Sequence, residues 1–155
     1  MKLKNLYIPT NTMRKGMKLK DFFEEVAFRT APGLPYQDEQ GNLIGRISIR
    51  DVFKRLVVPD HLLRMADAIG DQTDNLDLPD MEVMKLMDLP VEDFILENIP
   101  SVSPRSSLVK ALAVMELHNS SYIFLFDGDT YLGVLTRMTL TKRMLQCYLD
   151  KKGEA

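Results

Sequence analysis

The segment from Leu19 to Ser48 recurs, with different letters, from Leu108 to Thr136, and this internal repeat constrains the fold more than any other feature of the chain. Leu19, Phe22, Phe23 and Val26 are answered by Leu108, Ala111, Leu112 and Met115, each 89 positions later. Gly45 and Ser48 are answered by Gly133 and Thr136, each 88 later, so one loop between them differs by a single residue. A duplicated unit folds as a pseudo-symmetric pair with a cleft between its halves, which points to binding rather than to a catalytic centre.

In each copy the i, i+3, i+4, i+7 spacing of those apolar residues predicts a helix with one buried stripe, over roughly Lys18 to Phe28 and Ser106 to Leu117. Apolar runs separated by turn residues follow: Leu34 to Tyr36 and Leu43 to Ile47 around Asp38–Asn42, then Tyr122 to Phe126 and Tyr131 to Leu135 around Asp127–Asp129. Both read as β-hairpins. A further helix starts near Ile49 and near Arg137, and a short extended piece precedes each unit, Leu6 to Thr12 and Ile99 to Val102. The fold class is therefore α/β (α+β), a β-α-β-β-α unit written twice. Residues 1–56 form the first repeat, 57–88 a helical and acidic insertion, 89–149 the second repeat and 150–155 a charged tail.

Within the insertion, Pro59-Asp60 reads as a helix start, His61 to Ile69 as a short helix and Gly70 as its stop. Asp71, Asp74, Asp77 and Asp80 recur every third residue, and Met81, Val83, Met84 and Met87 form another apolar face. The acidic run lacks the alternating ligands and tight-turn glycine of a calcium loop and reads as a solvated loop. His61 and His118 have no second ligand at helical spacing, so no metal site is expected. The net charge of -2 lacks the excess of Lys and Arg that nucleic-acid binding requires. The basic residues that precede Asp21 are expected to contact the acidic middle of the chain. Cys147 is the sole cysteine, which rules out an intrachain disulfide. With neither a secretory leader nor an apolar run long enough to span a bilayer, the chain is expected to be cytoplasmic, without membrane insertion.

Leu34-Pro35-Tyr36-Gln37-Asp38, Gly41-Asn42-Leu43-Ile44 and Gly45-Arg46-Ile47-Ser48-Ile49-Arg50-Asp51 together resemble the CBS-domain family, whose strand ends in S/T-x-x-D. Leu89 to Ile95, then Pro100-Ser101-Val102-Ser103-Pro104 and Ser107-Leu108, resemble the start of a second copy. The resemblance implies a tandem pair, or Bateman module, packed sheet to sheet around a pseudo-twofold axis. It also implies a homodimer, and an adenine-containing ligand (AMP, ADP, ATP or S-adenosylmethionine) in a cleft between repeats. By the same resemblance Ser48 lies near ribose or phosphate and Asp51 clamps the ribose hydroxyls.

Elementary chemistry supports that assignment: a helix N-terminus favours anions, and a carboxylate accepts hydrogen bonds from both hydroxyls of a diol. Pro35 and Tyr36 are expected to cover an adenine face, Arg50 to lie near phosphate range, and Tyr7 and Thr12 to line the pocket. S-x-x-D at a helix start is also close to a capping box, with Ser48 as N-cap and Asp51 at N3. In the second copy Thr136 keeps the hydroxyl, but Thr139 replaces the acid and Phe124 the proline. A second site of Thr136, Thr139, Phe124, Leu125 and Ser101 is therefore expected to be degenerate. The functional expectation is a non-catalytic regulatory module that senses an adenine-containing ligand, requires no cofactor and acts on a separate, unknown protein. The alternative is a ligand-free interaction module docking through its helical insertion.

Overall fold

The computed structural model describes residues 2–3, 5–71 and 77–154. Asp74 of the acidic run and Lys4 of the basic segment lie outside these residues. The first unit comprises α1 (Leu19–Arg29), the hairpin β1 (Gly33–Gln37) and β2 (Leu43–Ser48), and α2 (Ile49–Leu56). The insertion carries α3 (Asp60–Arg64) and α4 (Asp80–Met87). The second unit comprises β3 (Ser101–Val102), α5 (Leu108–Leu117), the hairpin β4 (Tyr122–Asp127) and β5 (Thr130–Thr136), and α6 (Arg137–Glu154).

The duplication is literal in the backbone. Gly33 pairs with Ser48 in the first hairpin and Tyr122 with Thr136 in the second, and each ladder is bulged at the equivalent step, Tyr36/Gln37 and Leu125/Phe126. The one-residue slip falls in the hairpin loop that follows each bulge. Thr30 and Asn119, 89 positions apart, both turn the chain out of the first helix of their unit with positive φ, 56° and 47°.

The segments that precede the repeats tie the halves together. Ile8 exchanges two backbone hydrogen bonds with Val134 on β5 (2.8 and 2.9 Å), after which Met13 pairs with β1 through Pro35 and Gln37. Leu96 likewise exchanges two bonds with Arg46 on β2 (both 2.8 Å), after which Pro100 accepts from Phe124 on β4 (2.9 Å). Even the outermost bridges correspond, Lys18 with Pro90 and Lys2 with Ser107. Each lead segment thus runs from one sheet to the other.

Packing follows the same exchange. The first core gathers Leu19, Phe22, Val26, Leu34, Ile47 and Val52 and is completed by Val91 and Phe94 from beyond the insertion. The second gathers Leu108, Ala111, Met115, Ile123, Leu125, Leu135 and Leu140 and is completed by Leu3. A third cluster, Ala31, Tyr122, Phe124 and Val134, lies between the sheets.

Three sequence expectations change. The Met81–Met87 face of α4 is not buried: Met81 and Met84 are 72% and 70% exposed, because only Met87 reaches the groove beside Phe23 and Phe53. The charged tail is helical, since α6 runs on through Glu154 with Gln146 bonded to Asp150 and Lys151 paired with Glu154. The basic N-terminal residues reach the acidic insertion only at its edge, Lys18 pairing with Asp88, while Lys15 pairs with Glu39.

Gly45 and Gly133 sit where the lead segments cross. A methyl group on Gly45 would lie 2.6 Å from the Leu96 carbonyl oxygen, and one on Gly133 would strike the Ile8 carbonyl. Backbone cannot rotate aside as a side chain does. Gly45→Ala and Gly133→Ala are each expected to cost about 1–3 kcal/mol or more, seen as a lowered urea midpoint at unchanged slope. Gly153→Ala, where the added methyl meets open space on α6, is expected to be neutral or stabilising by up to ~1 kcal/mol.

Candidate functional site

β2 ends at Ser48 and α2 begins at Ile49, so the S-x-x-D motif lies at a strand-to-helix corner facing the other repeat. A cavity of about 240 Å³ opens there, lined by Arg46, Ser48, Arg50, Asp51 and Lys54 from the first unit and by Asn119, Ser120, Ser121 and Tyr122 from the second. Leu96, on the crossing lead segment, completes its wall. The α2 N-terminus, with its partial positive charge, lies at this space, its first N–H (Ile49) taken by the Pro32 carbonyl (3.0 Å).

The two repeats use this corner differently. At the second, Thr136 and Thr139 close a reciprocal cap: Thr139 Oγ1 accepts from the Thr136 N–H (3.0 Å), and Thr136 Oγ1 accepts from the Thr139 N–H (3.1 Å). The Thr139 hydroxyl also donates to the Thr136 carbonyl (2.8 Å). At the first, Ser48 is the N-cap residue but its side chain makes no capping bond. Asp51 Oδ2 is buried without a hydrogen-bond partner. Arg55 stands 3.9 Å from that oxygen, beyond hydrogen-bond reach, because its guanidinium bonds the Asp93 carbonyl (2.7 Å) and lies over the Phe94 ring. The capping-box reading therefore describes the second copy and not the first.

Arg46 is the residue that the sequence reading did not single out. It is 8% exposed, its Nη1 donates to the Tyr122 hydroxyl (2.8 Å), and its Nε is buried without a partner. Among the described residues it makes no ion pair. Taking a guanidinium out of water costs several kcal/mol, which one hydrogen bond and the Tyr122 ring, 5.2 Å from the guanidinium carbon, offset only in part. Burial raises the Tyr122 pKa, against the lowering influence of Arg46 and of a Ser48 hydrogen bond, so the phenol stays protonated. Tyr122 has room because it faces Gly33, where any side chain would collide with its hydroxyl. The available signal was a difference between copies: Arg46 interrupts an apolar strand at the position that Val134 occupies in the second repeat.

Ser48, Asp51 and Arg50 are brought together as expected, with Arg50 exposed at the rim. Several other expected residues are placed elsewhere. Tyr36 is buried in the first core, because alternate β1 residues turn toward α1. Pro35 is buried on β1 opposite Arg46 in register and does not line the cavity. Tyr7 packs beside Gly133 against the second core, and Thr12 donates to Gln37 Oε1 (2.8 Å) at a separate groove above α1. In the second repeat Phe124 and Leu125 are fully buried, and Ser101 lies in a hollow at the hairpin ends with Leu43 and Phe126. Arg137 is engaged with Glu116 (2.7 Å) and the Ser120 carbonyl. Among the described residues no group of three or more His, Cys, Asp or Glu is placed to hold a metal ion, and no helix is long and apolar enough to cross a membrane.

Two duplicated α/β units, their strands exchanged and a strand-to-helix corner of each facing the other, define a tandem-repeat module with clefts between its halves. Residues 91–146 match the family model of the CBS domain. Among solved structures, a CBS domain-containing protein of unknown function from Bacillus anthracis str. Ames Ancestor is 19% identical with a TM-score of 0.61, the match covering 94% of each chain. Another from Kribbella flavida DSM 17836 is 18% identical with a TM-score of 0.63, covering 94% of this chain and 99% of that one. The CBS domains of a transcriptional regulator from Streptococcus pneumoniae are 14% identical with a TM-score of 0.58, covering 92% and 98%. Comparison with curated protein sequences finds no match. The match falls within the second repeat, and the chain as a whole has the fold of CBS-domain-containing proteins.

Thr139→Ala is expected to lower stability by about 1 kcal/mol through loss of the reciprocal cap. Asp51→Ala removes no cap and is expected to stay within about 0.5 kcal/mol of the parent. Paired urea titrations of the two variants check the contrast.

Proposed function

We propose that the protein is a non-catalytic regulatory module that senses an adenine-containing ligand in the cleft at Ser48 and Asp51 and passes the signal to a partner protein. The observation that carries this reading is that the S-x-x-D pair makes no helix cap. Its hydroxyl and carboxylate are free of the capping duties that hold Thr136 and Thr139, and the carboxylate oxygen is desolvated without a donor. A ribose diol supplies two donors suited to that carboxylate. The equivalent cleft of the second repeat has no such groups to offer, so one site per chain is the proposal.

A regulatory role is supported by what the cavity touches. Its wall is shared between α2, the lead segment at Leu96 and the loop before β4. Its volume, about 240 Å³, lies below the roughly 300–1,000 Å³ of common small-molecule pockets. A nucleotide therefore either moves the Arg46–Tyr122 pair or leaves part of itself at the mouth. Displacing that pair alters contacts across both repeats, and a partner that prefers one arrangement reads ligand occupancy. A homodimer belongs to the same proposal, supported by apolar residues exposed on helices of both units, among them Phe53, Val109, Met138, Leu145 and Tyr148.

Calorimetric titration with AMP, ADP, ATP and S-adenosylmethionine is expected to give one site per chain for at least one of them. In Asp51→Ala that affinity is expected to fall at least about tenfold, about 1.4 kcal/mol. Two equal sites per chain, or binding undiminished in the variant, would overturn the assignment. Failure of every compound would instead favour an interaction module docking through the insertion, to which the exposed Met81 and Met84 on α4 are suited. Equilibrium sedimentation is expected to report twice the 17.7 kDa chain mass.

A further inference from the structure

Nothing in the repeat pattern calls for an arginine at position 46. The same backbone position of the second unit holds Val134, which packs without cost against Tyr122, Phe124 and Ala31. At the first unit a guanidinium is more than nine-tenths buried, meets a phenol rather than a carboxylate, and leaves Nε without a partner beside the cavity. A buried cation so placed lacks an anion. The surroundings are arranged for one: Arg50 and Lys54 add two further cations to the lining against the single carboxylate of Asp51. The N-terminus of α2 adds its partial positive charge. Ser120 is also buried there, although its hydroxyl already donates to the Tyr122 carbonyl (2.7 Å).

We propose that Arg46 makes this cleft a phosphate-recognition site, so that its ligand is a phosphorylated compound, a nucleoside phosphate, rather than a neutral nucleoside or the cationic S-adenosylmethionine. The inference rests on the adenine-ligand reading above and narrows it. A phosphate engages the guanidinium through charge-assisted and often paired N–H···O bonds, and supplies the countercharge that the phenol cannot. S-adenosylmethionine has a carboxylate of its own, but its sulfonium and ammonium groups meet like charge from Arg46, Arg50 and Lys54. Tyr122 holds Arg46 in reach while the cleft is empty and is the group the phosphate displaces.

Titration of the full chain with AMP, adenosine, S-adenosylmethionine and inorganic pyrophosphate, in the wild type and in Arg46→Leu, tests this. In the wild type AMP is expected to bind at least about tenfold more tightly than adenosine or S-adenosylmethionine. Pyrophosphate is expected to compete with AMP. Arg46→Leu is expected to bring AMP down to the level of adenosine while leaving the unliganded melting temperature unchanged or raised, since the leucine mimics Val134. Adenosine or S-adenosylmethionine binding as tightly as AMP in the wild type would overturn the proposal without any variant. So would an unchanged AMP-to-adenosine ratio in Arg46→Leu. If pyrophosphate binds in an Arg46-dependent way and no adenine compound does, the phosphate site stands and the adenine reading fails. If neither pyrophosphate nor any adenine compound binds, both fail.

Discussion

Two backbone crossings, Ile8 on Val134 and Leu96 on Arg46, hold this molecule together. A two-stranded hairpin is marginal by itself in water, and each of these hairpins has an open edge. The lead segments cover those edges, and because each comes from the opposite end of the other unit, neither half is complete without the other. Val91 and Phe94 close the first core and Leu3 the second for the same reason. The crossings demand glycine at 45 and 133, the only side chain small enough for two backbones to meet there. They also build the cleft, since Leu96 is at once the residue that clamps β2 and a wall of the cavity, and the residue it clamps is Arg46.

On this symmetric frame the side chains are not symmetric. Three exchanges between equivalent positions account for the difference: Arg46 against Val134, Asp51 against Thr139, and Gly33 against Tyr122. At the second corner the hydroxyls of Thr136 and Thr139 are engaged in capping, and the rings of Tyr122 and Phe124 pack 5.6 Å apart between the sheets. The first is left open and charged. Tyr122 belongs to both, its ring in the apolar cluster between the sheets and its hydroxyl on Arg46. The family match falls on residues 91–146, the repeat whose corner is capped, while the motif that makes no cap lies in the other.

Much of this was legible in the sequence because it follows from periodicity. The 89- and 88-residue offsets located the helices, hairpins and single slip, whereas Gly45 and Gly133 marked only the register of the repeat and not the backbone crossings they permit. What periodicity does not carry is direction. Alternation along β1 says that Pro35 and Tyr36 point to opposite faces but not which face holds the cleft, and neither residue lines it. S-x-x-D and T-x-x-T are equally able to cap a helix, and only side-chain conformation decides that Thr139 turns back on Thr136 while Asp51 does not bond Ser48. Arg46 within Leu43–Ile47 reads as a tolerated charge at a strand edge until the fold leaves it 8% exposed, with little of the solvent such a charge needs. The Met81–Met87 stripe of α4 is amphipathic by count yet stays exposed, because spacing specifies a face and not whether a surface exists for it to cover.

The cost of keeping Arg46 is the physical link between the cleft and the rest of the chain. An unpaired buried cation destabilises the unliganded protein, and an anion that relieves it is favoured by the same free energy. That relief requires Arg46 to loosen its bond to Tyr122, whose ring packs on Phe124 and whose hydroxyl lies against Gly33. A change at one cleft is therefore felt in the layer that joins the two sheets, with no need for a longer path.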